Sequence, residues 1–450
     1  MLVRRTMTKL RPYGPSRSAG LLLFVALLAL TAFPGSAKAW WNDDWSLRKK
    51  ITIDTSASGT AITDLTGPAP PVLLRLHAGN FRFASAKEDG SDLRFISADD
   101  KTPLKFQIEK YNSLLNEALV WVSVPELKAG ARTEFWLYYS SRKAAGGSDA
   151  KGVFDSDTLL DYHFAENGTP AQDSSIWANH AANAARTADG SLIGQGLRLD
   201  GSATLMVPDA PSLSIPEGSA ATWSAWVNMT APLPGAVLFS RREGGDGFAI
   251  GIDDGVPFVE ISRAGSVVKS SPSAPVGPGQ WRHLAMVADS ANVTLYLDGN
   301  PYASIAGSLP ALAGKSMVGG DIATAPPVSD QPTDSSVAAA PAAPSASGGF
   351  IGDIDELTFA KVARSAGYIK LAAANQGTDP GKLVTYSEDE ETSSWFTGYF
   401  AVILKSVTLD GWVVIGVLGI MAVLSWIVMV DKIGYIRKQA KGNLRFLQAF

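Results

Sequence analysis

Between residues 40 and 141, short runs of β-branched, aromatic and aliphatic residues recur at 49–53, 72–76, 93–96, 104–108, 118–124 and 133–139, each closed by turn residues. Apolar and polar positions alternate with period two, the pattern of half-buried strands. In 118–124, Ala118, Val120, Val122 and Val124 fall on one face and Leu119, Trp121 and Ser123 on the other, so this strand is expected to be covered on both sides. Six such runs with polar turns predict an antiparallel sandwich over 40–143, with a linker at 144–147.

The alternation returns over 152–378. Trp223, Ala225 and Val227 oppose Thr222, Ser224, Trp226 and Asn228, while Val293, Leu295 and Leu297 share a face and Asp298-Gly299 ends their strand. A second pair of packed antiparallel sheets is expected. Inside it, 321–349 is rich in Ala, Pro and Ser and has no apolar period. Such a stretch cannot bury enough surface to offset its ordering entropy, so a disordered insert on one rim is expected.

Near the end the pattern changes to an uncharged apolar run at 412–430, holding Trp412, Gly416, Gly419, Ser425 and Val430. As a helix it reaches ~28 Å, close to the ~30 Å hydrocarbon core of a bilayer, and predicts one transmembrane helix. Glu388, Asp389, Glu390 and Glu391 precede it in an acidic juxtamembrane segment, 383–411, where Trp395, Phe396, Tyr399 and Phe400 suit the headgroup region. Lys432, Arg437, Lys438, Lys441 and Arg445 follow in a basic helix, 431–450. The positive-inside rule puts that end in the cytoplasm. Ile433, Ile436, Ala440, Leu444 and Leu447 keep helical spacing beyond the span, so one long helix is expected, weakened at Gly442.

The other end fits this topology. Arg4, Arg5, Lys9, Arg11 and Arg17 precede an apolar core at 21–33 and then Ala37-Lys38-Ala39, the marks of a signal peptide over 1–39. The reading is a single-pass protein of the inner membrane with its body in the periplasm.

Composition narrows the chemistry. With 46% hydrophobic and 18% charged residues the chain can build a core, and its length favours two domains. There is no cysteine, which removes disulfides, thiolate nucleophiles and Cys-ligated zinc. A net charge of −4 offers no basic surface for phosphate backbones, so nucleic acid is not an expected partner. His77, His163, His180 and His283 are scattered, with no HExxH pair, and His283 reads as a packed core residue. Asp173, Asp253, Asp254 and Asp353 are loop acids that offer oxygen to calcium, without the dense loop that would define a site. No other cofactor is implied.

Three resemblances add to this. The opening WWNDDWSLRKKITID and the later FWLYYSS resemble an exported bacterial domain of unknown function, found beside lectin-like modules and in proton-channel proteins. Its cluster Trp40, Trp41 and Trp45 suits either a carbohydrate platform or an anchor for the first strand. GLRLDGSATLMVP, ATWSAWVNMT, WRHLAMVADSANVTLYLDGNPYA and FIGDIDELTFAKVARSAGYIKLAAANQG resemble, in order, the laminin-G and concanavalin-like jelly-roll family. MAVLSWIVMVDKIGYIRKQAKGNLRFLQAF resembles the first transmembrane and cytoplasmic helix of the MotA, TolQ and ExbB proton-channel family.

The jelly-roll resemblance raises glycoside hydrolysis, which needs two carboxylates flanking the bond. In GDIDEL, alternation sets Asp353 and Asp355 on one face and Glu356 on the other; a further acid is wanted on the first face, where Leu357 stands. A non-catalytic binding fold is the expectation. One apolar helix cannot relay protons, so the channel resemblance implies either a chain that continues or an accessory subunit. Gly411, Gly416 and Gly419 would let a partner helix approach. The expected architecture is mainly β: two antiparallel β-sandwich domains, the second a concanavalin-like jelly roll, plus one C-terminal transmembrane helix. The expected function is a periplasmic recognition module for glycan or protein on a proton-driven complex with ExbD/TolR-like or TonB-like partners; a stand-alone tethered lectin is the alternative.

Overall fold

A computed structural model describes residues 40–166, 169–184, 186–322, 348–392 and 407–448. The expected leader, most of the 321–349 insert and the aromatic group at 395–400 lie outside the described residues. Two compact units divide the chain near Glu390 and Glu391.

The first unit begins with β1 (Leu47–Asp54), β2 (Val72–His77), β3 (Arg94–Ser97), β4 (Phe106–Asn112), β5 (Glu117–Val122) and β6 (Arg132–Tyr139). These overlap the six runs read from alternation. The second body follows with β7 (Thr158–Tyr162), β8 (Arg186–Asp189), β9 (Gln195–Asp200), β10 (Leu205–Val207), β11 (Ala221–Met229), β12 (Ala236–Glu243), β13 (Asp246–Asp253) and β14 (Val256–Arg263). It continues with β15 (Ser266–Lys269), β16 (Trp281–Ala288), β17 (Asn292–Leu297), β18 (Asn300–Ala306), β19 (Ser316–Val318) and β20 (Ile351–Ala360). Helix α1 (Ala366–Gln376) and β21 (Val384–Glu391) complete the unit.

The second body is a jelly roll of two sheets, one ordered β10-β19-β12-β13-β14-β15 and the other β18-β17-β16-β11-β20-β9-β8, with β7 also on β20. Trp223, Ala225, Val227, Val293 and Leu295 lie in the core between them, as their alternation requires. The ends of the insert, Ile322 and Gly348, both bond to β12, through Ser240 and Val237.

The first sandwich differs from expectation in one strand. Its sheets are β2-β5-β4 and β21-β1-β6-β3, so residues 384–391, expected in the juxtamembrane segment, form its edge strand after the whole jelly roll has intervened. The cause is charge. β1 buries Arg48 and Lys49 at 2% and 4% exposure, and buried cations need partners. Glu390 accepts from Arg48 Nη2 at 2.9 Å, and Asp389 pairs with Lys49 at 3.2 Å and Arg82 at 2.9 Å. Tyr139 donates to Asp389 and Arg48 donates to Asp100.

The two sandwiches are welded together. Ala118, Val120 and Val122 face the first core, while Leu119 and Trp121 turn the other way and join Leu73, Val153, Phe154 and Ile193 in a separate buried cluster. Each such side chain contributes about 1.5–3 kcal/mol over its exposed state. Helix α1, capped by Ser365, sends Leu371 into the first core, and Asn375 exchanges hydrogen bonds with both backbone groups of Leu73. Gly367 sits against the Asp64 carbonyl, where a Cβ would collide.

In the second unit, α2 (Leu409–Leu447) runs unbroken for 39 residues, through Gly442. It is long and apolar enough to cross a membrane. Trp412, Gly416, Gly419, Ser425 and Val430 all lie on it.

Candidate functional site

The Asp355-Glu356 pair is where the backbone departs most from simple alternation. Strict period two would put Leu357 beside Asp353 and Asp355. Instead β20 carries an extra residue: Ser224 of β11 pairs with Thr358 while Trp226 pairs with Asp355. Glu356 takes a left-handed backbone, φ 51°, which costs a non-glycine residue roughly 1–2 kcal/mol. The bulge returns Ile354, Leu357 and Phe359 to the jelly-roll core and leaves both acids facing the first sandwich. This corrects the face assignment read from sequence.

A second irregularity answers it across the boundary. In β4, Ile108 pairs with Val120 of β5 but Lys110 pairs with Leu119, so Glu109 is the unpaired extra residue. Bulges re-aim side chains, and these two bring Glu109 and Glu356 to one histidine. His163, just past β7, sets Nδ1 3.0 and 2.9 Å from the two Glu356 oxygens and 3.9 Å from Glu109 Oε2. Trp121 Nε1 donates to that Oε2 at 2.7 Å, and the Trp121 ring stacks on the imidazole. On the other edge of the ring, Asp161 Oδ2 is 3.1 Å from Nε2, near enough for an ion pair but not aligned. Among the described residues, neither Asp161 oxygen nor His163 Nε2 has a hydrogen-bond partner, and Glu109 Oε1 has none either.

These side chains are 5% exposed or less. Burial, reinforced by neighbouring acids, holds the Asp161, Asp355 and Glu356 carboxyls well above the usual carboxylate range. Ile193 N and Glu356 N both donate to Asp355. Arg75 supplies positive charge from β2, though its own donors go to the carbonyls of Asn375 and Gln376. The cleft beside Asp161 and Glu356 has a cavity volume of about 30 Å³, room for a water or a small ion and far below a sugar site.

The residues singled out from sequence fall elsewhere or into structural roles. Asp353 pairs with Arg198 through both oxygens at 2.8 and 2.9 Å. Asp173 accepts from Asp161 N, Ser175 and Asn179 N inside a buried turn. Asp253 holds Lys269 at 2.6 Å and Asp254 shapes a turn at φ 48°. The four acids are not brought together. Trp45 is buried with Nε1 donating to the Asp92 carbonyl, Trp40 Nε1 donates to the Trp45 carbonyl, and Arg48 lies over the Trp40 and Trp136 rings, which is the anchoring arrangement. His283 is buried against Trp226, His77 is exposed, and His180 accepts from Asp173 N.

Sequence reading passed over Glu109 and met His163 only as one of four scattered histidines; the two lie on different sandwiches. His163 follows the fully buried strand TLLDY, which is a local signal, whereas Glu109 within FQIEKYN carries none.

A pocket of about 310 Å³ opens at the β13–β14 turn, with Asp253, Asp254, Lys269 and Ser270 above Pro257 and Phe258.

Residues 199–370 match the concanavalin A-like lectin/glucanases superfamily, and residues 89–180 match a domain of unknown function, DUF2341. No curated protein matches the chain. Among solved structures, domain 4 of AbnA, a GH43 extracellular arabinanase from Geobacillus stearothermophilus in complex with arabinotriose, is 18% identical at a TM-score of 0.37, covering 48% of this chain and 98% of its own. The binding domain of Paraclostridial Mosquitocidal Protein 1 is 13% identical at 0.37, covering 48% and 52%. The binding domain of Botulinum neurotoxin DC in complex with SialylT is 10% identical at 0.36, covering 50% and 52%. The chain spans about half the length of these two toxin domains.

Proposed function

We propose that this concanavalin-like protein is a membrane-tethered binding module, with a rigid two-sandwich head that engages a glycan or protein ligand. The observation that favours binding over hydrolysis is the sealing of Asp355 and Glu356 at 0% and 3% exposure. Glycoside hydrolysis needs its two carboxylates on either side of a bound saccharide, and these two face the neighbouring sandwich. The ligand side is the pocket at the β13–β14 turn, whose volume lies in the range of small-ligand sites. Its charged rim over an apolar floor suits the hydroxyls and C–H faces of a sugar.

A glycan array probed with the full chain in detergent tests this. Binding to one saccharide class that falls at least tenfold in Lys269→Ala is expected. Binding unchanged in that variant would remove the pocket, and an array without hits would remove the glycan.

In this reading the head is periplasmic and the basic end of α2 cytoplasmic; support comes from Lys432, Arg437 and Lys438 after the apolar run. At ~1.5 Å per residue α2 is about 58 Å long, well beyond one hydrocarbon core. That excess, with Gly416 and Gly419 open to a close neighbour, supports docking to a proton-driven complex of the MotA, TolQ and ExbB kind, with ExbD/TolR-like or TonB-like partners. Co-isolation of such subunits with the full chain, lost in Gly416→Leu/Gly419→Leu, is the expected result. An empty pull-down would leave a stand-alone tethered binder.

A further inference from the structure

We propose that Glu109, His163 and Glu356 form a site for one divalent transition-metal ion, of the Zn²⁺ or Mn²⁺ class, that clasps the two sandwiches together. The inference is independent of what the head binds.

Geometry carries it. One ligand atom from each of the three residues lies within 4.8 Å of the others. Donors at ~2.1 Å from a common ion stand ~3.0–3.4 Å apart, and the separations from His163 Nδ1 are 2.9 Å to Glu356 and 3.9 Å to Glu109. A small rotation of the Glu109 side chain closes the longer one. Both glutamates owe their direction to bulges, one in each sandwich, so the backbone is deformed twice to make one meeting point.

The surroundings are those of a metal site. A ligating histidine commonly gives its far N–H to a carboxylate, and Asp161 Oδ2 waits 3.1 Å from His163 Nε2. Asp161 is fully buried and, among the described residues, neither of its oxygens has a hydrogen-bond partner, a costly state unless the imidazole turns to meet it. Binding at Nδ1 fixes the tautomer that does so. Trp121 orients Glu109 Oε2. Four carboxylates, Glu109, Asp161, Asp355 and Glu356, converge here, and a divalent cation supplies the charge that Arg75 alone does not. An imidazole with two carboxylates suits Zn²⁺ or Mn²⁺ better than Ca²⁺, which wants six to eight oxygens.

The test uses the full chain in detergent, stripped with chelator and then titrated calorimetrically with Zn²⁺, Mn²⁺ and Ca²⁺, with Co²⁺ absorption as a second readout. One equivalent of Zn²⁺ or Mn²⁺ should bind and raise the melting temperature. Glu109→Gln and Glu356→Gln, near-isosteric and from opposite sandwiches, should each weaken binding at least thirtyfold, and His163→Asn should change the Co²⁺ spectrum. No saturable binding below ~100 μM metal, about −5.5 kcal/mol, or binding unaltered in both glutamine variants, would overturn the proposal and leave His163 as a side-chain bridge between Glu356 and Asp161.

Discussion

Asp389 and Glu390 of β21 meet Arg48, Lys49 and Arg82, whereas Asp355 and Glu356 of β20 meet Glu109, His163 and the guanidinium of Arg75 from a distance. Both acid pairs look alike in sequence, and the chain ends by giving one of them matched charge and the other a surplus. In β21 the matching is structural: an edge strand with little apolar pattern is held because β1 has cations to satisfy. In β20 the surplus sits at a bulge beside unpartnered polar atoms, the condition under which an ion or protons must make up the difference. Burial of acids therefore says little until the charges opposite them are counted.

The largest expected effect comes from unbalancing the matched side. Arg48 is 2% exposed and serves Asp100, Glu390 and the Tyr138 hydroxyl while its plane covers Trp136. Arg48→Met keeps much of the ring contact and takes the guanidinium away from Asp100 and Glu390. Removing one partner of a buried pair costs about 3–5 kcal/mol, and denaturant unfolding of the full chain should show a loss of that order. A loss under about 1 kcal/mol would mean that β21 is held by its backbone ladder alone.

His283 is a third solution to a buried ionisable group: it stays neutral. Burial drops its pKa to about 4, against ~6.5 in the unfolded chain. Below pH 6.5 the unfolded chain takes up a proton that the folded chain refuses. Stability is therefore intact above that pH and falls as pH drops toward 4, by roughly 3 kcal/mol over the window. His283→Gln should flatten this part of the stability curve measured by urea unfolding between pH 4.5 and 7. An unchanged slope would assign the acid sensitivity to the carboxylates instead.

How far these outcomes were foreseeable from sequence differs by element. The first six strands were readable because each writes its own alternation, and β5 announced two covered faces through Leu119 and Trp121 opposite Val120 and Val122. The apolar run within α2 was equally plain. β21 was not, because Val384–Glu391 becomes a strand through Arg48 and Lys49, more than three hundred positions earlier. Glu356 was misassigned because one inserted residue reverses the parity on which the reading depends. His163 and Glu109 carry no local motif; only the docking of two sandwiches makes them neighbours. Long-range charge and bulges are the two things that period counting does not see.

The smallest effect belongs to the remaining acid of the same β20 segment, and it isolates burial as the cause of the contrast. Asp353 is two residues from Asp355 and has a well-formed bidentate partner in Arg198, yet the pair is solvent-facing, at 18% and 49% side-chain exposure. Water screens such a pair and reclaims each group when its partner is lost, so exposed ion pairs contribute about 0–1 kcal/mol. Asp353→Asn should change stability by no more than that, and the change should shrink further in high salt. A cost comparable to Arg48→Met would show that local geometry, and not exclusion of water, sets what an acid on these strands is worth; a cost near zero leaves burial as the variable that separates Asp353 from its neighbours.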